Sequence, residues 1–405
     1  MDSEPLIAKA NRYLNELCVK IPSRRVGSQG NQQATAFFKS ILQEFNFKAE
    51  SQPFDCIDQR LGEIRLSTDG RDFEAFISPY TLVCDVCTDL VIESTIDELE
   101  TVDAHGKILL LRGEIAKEQL MPKNFVFYNP EEHQRIYRLL EEKQPAAIIS
   151  ATTRNPELAG AVYPFPMFED GDFDIPSAYM TDVEGEKLAA FAGSRVSLKM
   201  DAERIPSTAE NISSFKGNDA EKRIVVCAHI DAKAGSPGAV DNGGGTVVLM
   251  LLAELLKEYQ GKKTIEILAL NGEDYYSAGG QMEYLRRHKG KMGQIDLVIN
   301  LDGVGFADYP TGLSFYECSE DFRNKALVVM GEYPGIEEMQ PWFQGDHMVF
   351  VMNSVPAAAL TTTGFMQMET EIAHTSKDNL DQINVQLLVE ATRFLFDLIT
   401  TRVAV

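Results

Sequence analysis

The stretch RIVVCAHIDAKAGSPGAVDNGGGTVVLMLLAELLKEY, Arg223 to Tyr259, decides the fold class. RIVVCAHI is a short apolar run rich in Val and Ile, the pattern of a buried strand. GGTVVLMLLAELLKEY, beginning at Gly244, reads as a helix. Between them lie small residues, glycines and three polar side chains, His229, Asp231 and Asp241. Taken alone, those eighteen residues from Ala228 to Gly245 fit a surface turn or half of a metal site equally well.

Outward from this unit the alternation continues. TIEILAL is the next strand, SAGGQMEYLRRH a helix, DLVINL a further strand, VPAAALTT a late strand and VQLLVEATRFLFDLITTRV a closing helix. Strands alternating with helices specify a mostly parallel α/β sheet from about Ile205 onward. Upstream, the chain to about Phe54 reads as helix, breaker-rich loop (IPSRRVGSQGN) and helix. The middle, about Asp58 to Arg204, reads as short strands and turns, with HGKILLLRG and PAAIIS as buried strands and IPSAYMTDVEGEKLAAF as a strand entering a short helix. The expected architecture is a three-layer α/β/α domain with a mostly parallel mixed sheet, residues 1–57 and 205–405, carrying a small β-rich insert at 58–204.

Composition narrows the function. The chain has 405 residues, 61 acidic against 38 basic, and a net charge of −23. Such a field repels phosphate backbones and anionic lipid surfaces, which argues against nucleic-acid and membrane partners. The opening MDSEPLIAKANRYL has no basic n-region and no apolar h-region, so a cytoplasmic location is expected, or a secreted one if a leader has been removed. The apolar run VVLMLLA is far too short to span a bilayer. Six cysteines over this length are too sparse for a disulfide scaffold. Cys84 and Cys87 form one CDVC, but on a strand they point to opposite faces, and no second CxxC completes a zinc knuckle.

In open α/β sheets, sites form beyond the carboxyl ends of the strands. RIVVCAHID ends in His229 and Asp231, TIEILALNGED in Glu273 and Asp274, and DLVINLDG in Asp302. The loop IAHTSKDNLD before the closing helix carries His374, and Asp241 opens the glycine-rich entrance to a helix. A single capping aspartate at a strand end means little. Two imidazoles and at least three carboxylates converging from separate ends suit zinc with mixed N/O ligation. His105 and His133 have no carboxylate at ligand spacing and read as ordinary histidines.

The series His229-x-Asp231, Asp241-Asn242-Gly243, Glu273-Asp274, Asp302 and His374 resembles the aminopeptidase Y family of co-catalytic zinc exopeptidases, which also includes bacterial leucyl aminopeptidases and glutamate carboxypeptidases. RRVGSQGNQQATAFFKSILQEF is similar to that family's opening helix, and the middle region resembles the protease-associated insert of many members. The resemblance implies two zinc ions per chain, other divalent metals being possible, with Asp241 as bridge. His229 and Asp302 would complete one metal, and Asp274 and His374 the other. It implies Glu273 as general base, Asp231 as the carboxylate orienting His229, and a non-proline cis peptide after Asp241. Two departures stand out: Asp274 where many relatives have Glu, and DNGGG in place of DNGSG.

The function expected is a zinc-dependent exopeptidase acting on peptides, foremost an aminopeptidase. The alternative on the same dinuclear site is a carboxypeptidase or an N-acyl amino acid deacylase. No GxSxG elbow or HExxH helix is present. QPWFQGDHMVF resembles the family's SDH loop and offers Trp342, Asp346 and His347 as pocket residues. Tyr275 and Tyr276 are read as aromatic packing, His288 as a cation at a helix C-terminus, and the sequon at Asn211 as incidental. The sequence carries no signal for oligomeric state.

Overall fold

The computed structural model describes residues 4–21, 23–217 and 222–403; Met1–Ser3, which open the stretch read for a targeting signal, lie outside the described residues. The chain forms two compact units, Met1–Cys56 with Thr208–Val405, and Ile57–Ser207.

The first unit is built on a sheet whose order runs Ile336–Glu338, Thr311–Tyr316, Ala357–Thr362, Ile295–Leu301, Arg223–His229, Thr264–Leu270 and residues 212–216 of strand Arg195–Lys216. The central pairings, Thr264–Leu270 with Arg223–His229, Arg223–His229 with Ile295–Leu301, and Ile295–Leu301 with Ala357–Thr362, are all parallel. Antiparallel pairings occur on both flanks, at 212–216 and at Thr311–Tyr316. The central strands are apolar because both sheet faces are covered. Helix Gly244–Leu255 is buried from Gly244 to Ala253 and packs against strand Arg223–His229 and against helices Glu4–Asn15, Gln29–Glu44 and Val385–Asp397. A helix apolar all round belongs inside such a layer. On the other face, helix His347–Val351 packs on strands Ile295–Leu301 and Ala357–Thr362. Helix Gly279–Arg287 joins it there, with the Tyr284 ring 5.3 Å from that of Phe350. This is a mixed, mostly parallel sheet between two helical layers.

The second unit has its own core. Strands Cys84–Glu93, Ile108–Leu111, Ala147–Thr152 and Ser177–Thr181 pair in parallel, in that order. Parallel neighbours need crossovers, which usually carry helices. Helices Ile96–Thr101, Glu131–Lys143 and Pro156–Ala159 fill those connections. The reading of 58–204 as strands and turns therefore undercounted its helices. The signal was present in EEHQRIYRLLEEK: Ile136, Leu139 and Leu140 repeat at helical spacing, Glu131 and Glu132 lie in the first turn, and all three apolar residues are buried. No helix among the described residues is long and apolar enough to cross a membrane. None of the six cysteines forms a disulfide; Cys84 is buried and Cys87, three residues on, is exposed.

Candidate metal centre

Sheet register brings the polar strand ends to one level. Leu270 lies opposite His229, and Asn300 opposite Cys227, so Glu273–Asp274 and Asp302 leave the sheet beside His229. Asp302 is tied to the next strand by its backbone N–H, which donates to Leu360 O at 3.0 Å. Asp241 arrives from the helix side, and the Asp241–Asn242 peptide is cis. The entrance is tight: a Cβ on Gly245 would lie 2.3 Å from Asn242 Oδ1 and 2.8 Å from Leu301 O. That glycine is required by neighbouring backbone and by Asn242, whose side chain donates to the same Leu301 carbonyl at 2.7 Å.

All five proposed ligands meet. Asp241 lies between the two imidazoles, its Oδ1 3.1 Å from His229 Nε2 and its Oδ2 3.3 Å from His374 Nε2. Each imidazole has a second carboxylate: Asp302 Oδ1 at 3.6 Å from His229 Nε2, and Asp274 Oδ1 at 3.2 Å from His374 Nε2. His229, Asp241 and Asp274 each offer a ligand atom within 4.8 Å of the others, a group that could hold a metal ion. Although His229 Nε2 is buried among carboxylates, it is aligned for a hydrogen bond with none, and buried Asp274 Oδ2 likewise has no partner. Buried polar atoms are ordinarily satisfied. Imidazole and carboxylate donors aimed at a common point without bonding one another fit a cation.

Asp231 does more than was read from sequence. His229 Nδ1 lies 3.2 Å from the Asp231 backbone oxygen and 3.7 Å from Asp231 Oδ1. The Asp231 carboxylate accepts the N–H groups of Gly272 at 2.7 Å, Glu273 at 3.3 Å and Asp274 at 3.0 Å. One side chain thus holds the turn that presents both the proposed base and a proposed ligand.

Electrostatics separate the roles. Burial opposes charge on Asp241, but its contacts with His229 and His374 hold its carboxyl below the usual range. Burial also disfavours charge on His229, yet Asp231, Asp241 and Asp302 together drive its pKa well up. Glu273 goes the other way: burial pushes its carboxyl well up against the pull of His229, with Asp274, Asp302 and Asp346 adding to the rise. So many acidic groups in one desolvated pocket repel one another, and a dication among them would relieve that repulsion.

The other sequence candidates fall as follows. Trp342, Asp346 and His347 are all buried. Asp346 accepts from Gln281 Nε2 at 2.8 Å, and its carboxyl is pushed up to about 7 by burial and by Asp302, against the pull of His229. His347 lies between the rings of Tyr316 and Trp342, both at 4.5 Å, and donates from Nε2 to Trp342 O at 3.0 Å. A Cβ on Gly345 would lie 2.8 Å from the Trp342 ring and 3.3 Å from Asp302 Oδ2, so this loop borders the cluster. Tyr275 and Tyr276 pack on each other at 4.3 Å. Asn211 is buried and bonded to Gly280 O and Asn271 N, a structural role for the sequon. The reading of His288 as a cation is corrected: burial lowers it to about 4, and its neutral Nδ1–H donates to Tyr284 O at 2.9 Å.

Four residues were not read from sequence. Glu369 feels the cluster: burial pushes its carboxyl up to about 7, against His374 and helped by Asp241, Asp302 and Asp274. Lys233 donates to Asp274 O at 3.3 Å. Arg24 and Asp378 bind the backbone around Asp241. None sits at a strand end, so the rule that found the ligands does not reach them.

Residues 211–399 match the model of peptidase family M28. Carboxypeptidase Q of Rattus norvegicus is 28% identical over 174 residues, 41% of this chain and 35% of its own length. Leucine aminopeptidase 2 of Trichophyton rubrum is 23% identical over 206 residues, 46% of this chain and 41% of its own length. The chain thus spans less than half the length of these curated relatives. Among solved structures, an aminopeptidase from Aneurinibacillus sp. strain AM-1 superposes with a TM-score of 0.76 at 19% identity, covering 99% of this chain and 94% of that one. BSAP, a zinc aminopeptidase from Bacillus subtilis, gives 0.75 at 20% identity, covering 97% and 94%. At these identities the likeness shows that the α/β fold is shared.

Proposed function

We propose, from the match of residues 211–399 to the model of peptidase family M28, that the chain is a zinc-dependent exopeptidase of that family, foremost an aminopeptidase, with a dinuclear centre. The observation that carries this reading is the Asp241 carboxylate shared between two imidazoles, each of which has a second carboxylate of its own. His229, Asp302 and Asp241 would hold one zinc, and His374, Asp274 and Asp241 the other. Zinc bound there would supply Lewis acidity, lowering the pKa of a water and polarising the scissile carbonyl.

The chain's own residues supply the proton path and the orientation. Glu273, anchored through its backbone by Asp231, takes a proton from the attacking water on its carboxylate. The water oxygen bonds to the scissile carbonyl carbon, and as the C–N bond breaks Glu273 passes that proton to the departing amine, leaving a free amine and a carboxylic acid that ionises to solvent. Desolvation raises the affinity of Glu273 for the proton. Burial at the strand ends keeps His229 and Asp241 in one geometry.

The aminopeptidase reading is supported by Glu369, a further carboxylate among the cluster's charges and suited to a substrate ammonium group. One observation favours the carboxypeptidase alternative: Lys233, beside Asp274, is a cation suited to a substrate carboxylate. Both ends of a peptide can therefore be tested. Purified protein should contain two equivalents of zinc and cleave aminoacyl-nitroanilides. Cleavage restricted to N-blocked peptides with free C-termini, abolished in Lys233→Met, would establish the alternative instead. Wild-type turnover in metal-stripped protein would exclude both. Six cysteines without a disulfide are compatible with a reducing, cytoplasmic setting.

A further inference from the structure

The loop of residues 230–241 carries Asp231 and Asp241, and its backbone is gripped from two sides. Arg24, 2% exposed, comes from the segment before helix Gln29–Glu44. Its guanidinium donates from Nε to Ile230 O at 3.0 Å, from Nη1 to Pro237 O at 2.7 Å and Leu17 O at 3.0 Å, and from Nη2 to Gly238 O at 2.7 Å. Three of these four carbonyls belong to the loop. Gly238 is left-handed there, at φ 59°, and a Cβ on it would meet Arg24 Nη2 at 2.7 Å.

Asp378, fully buried, takes the donors that follow. Its Oδ1 accepts from Val240 N at 2.7 Å, its Oδ2 from Asp241 N at 3.0 Å, and its backbone oxygen from Ala239 N at 3.2 Å. Asp378 lies four residues beyond His374. One carboxylate therefore links the loop that supplies an imidazole to the backbone of the carboxylate that imidazole faces. Buried ionic groups are costly unless fully hydrogen-bonded, and a guanidinium fork matched to several carbonyls cannot be replaced by an ammonium.

We propose that Arg24 and Asp378 are positioning residues of the metal centre, a clamp that sets the backbone of 230–241 so that Asp241 faces His229 and His374 before any ion binds. The proposal rests on reading the cluster as a metal centre. It also gives the segment around Arg24, outside the matched 211–399, a part in the site.

Asp378→Asn tests it, because the amide keeps the shape and one acceptor but turns an NH2 group toward a backbone N–H. Loss of a residue that orients ligands typically costs 10–100-fold in metal affinity. The full-length variant should bind zinc about 10–100-fold more weakly in competition with a chromophoric chelator. Its cobalt-loaded form should show an altered visible absorption spectrum, while the metal-free variant still folds, at a lower midpoint because one buried N–H loses its acceptor. A purely structural role would likewise lower the midpoint but leave affinity and spectrum unchanged, and this result would overturn the proposal. Hydrogen exchange on metal-free wild type decides the matter even if the variant does not fold. The amides of Ala239, Val240 and Asp241 should be protected; exchange at the free rate until zinc is added would overturn the clamp. A wild-type chain that binds no zinc would refute the metal reading, and the clamp with it.

Discussion

Glu273 and Asp231 act on the same turn by different means, and substitution separates them. Glu273→Gln removes the proton acceptor but none of the proposed ligands, so kcat should fall about 10²–10⁴-fold while zinc content by elemental analysis is unchanged. Asp231→Asn turns an amide donor toward the N–H groups of Gly272, Glu273 or Asp274, leaving a buried donor unsatisfied. That should cost about 1–3 kcal/mol in urea unfolding and lower activity and metal affinity together. His347 gives a pH prediction. Burial lowers its pKa to about 4, so the folded protein keeps it neutral while the unfolded chain protonates from about 6.5 downward. Stability from this group is complete above pH 6.5 and is lost as pH falls toward 4. The unfolding free energy of wild type relative to His347→Gln should decline by about 3 kcal/mol between pH 7 and 4, at 1.36 kcal/mol per pKa unit. An unchanged difference across that range would show that His347 titrates normally.

At the scale of elements, helix Gly244–Leu255 and the turn before it hold the site against the sheet. Leu251 in this helix is fully buried, and Leu251→Ala should destabilise by about 2–5 kcal/mol in denaturant unfolding, the cost of a core cavity. Gly245→Ala should act at shorter range, since its Cβ meets Asn242 and Leu301 O: activity falls while the protein still folds. The elements of the first unit were legible because each strand run ended in a polar residue, as TIEILAL does before Asn271. Helix Glu131–Lys143 was equally periodic but carried no chemistry, and a reading led by motifs passed over it. His288 was misread for a different reason. Its place at a helix end was correct, but the Tyr284 ring 4.1 Å away and the burial that keeps it neutral are tertiary facts.

For the whole molecule, a metal held by the acidic cluster, as proposed, would make stability depend on that ion. A ligand that binds only the folded state stabilises by about 4 kcal/mol at a thousand times its dissociation constant. Chelation should therefore lower the thermal midpoint, and zinc should restore it; a midpoint indifferent to both would count against a metal at this site. The chain's own order specified the α/β class and the five polar residues that the structure brings together, His229, Asp241, Asp274, Asp302 and His374, because local periodicity sets strands and helices and because parallel strands must present their carboxyl ends together. Tertiary structure alone decided that the Asp231 carboxylate holds the turn of Glu273 and Asp274, and that Glu369 and Lys233 border the cluster. It alone decided that Arg24 and Asp378, 354 positions apart in the chain, grip one loop. Those roles follow from backbone N–H and C=O groups finding partners after the chain has closed, and backbone groups are the same at every position of a sequence.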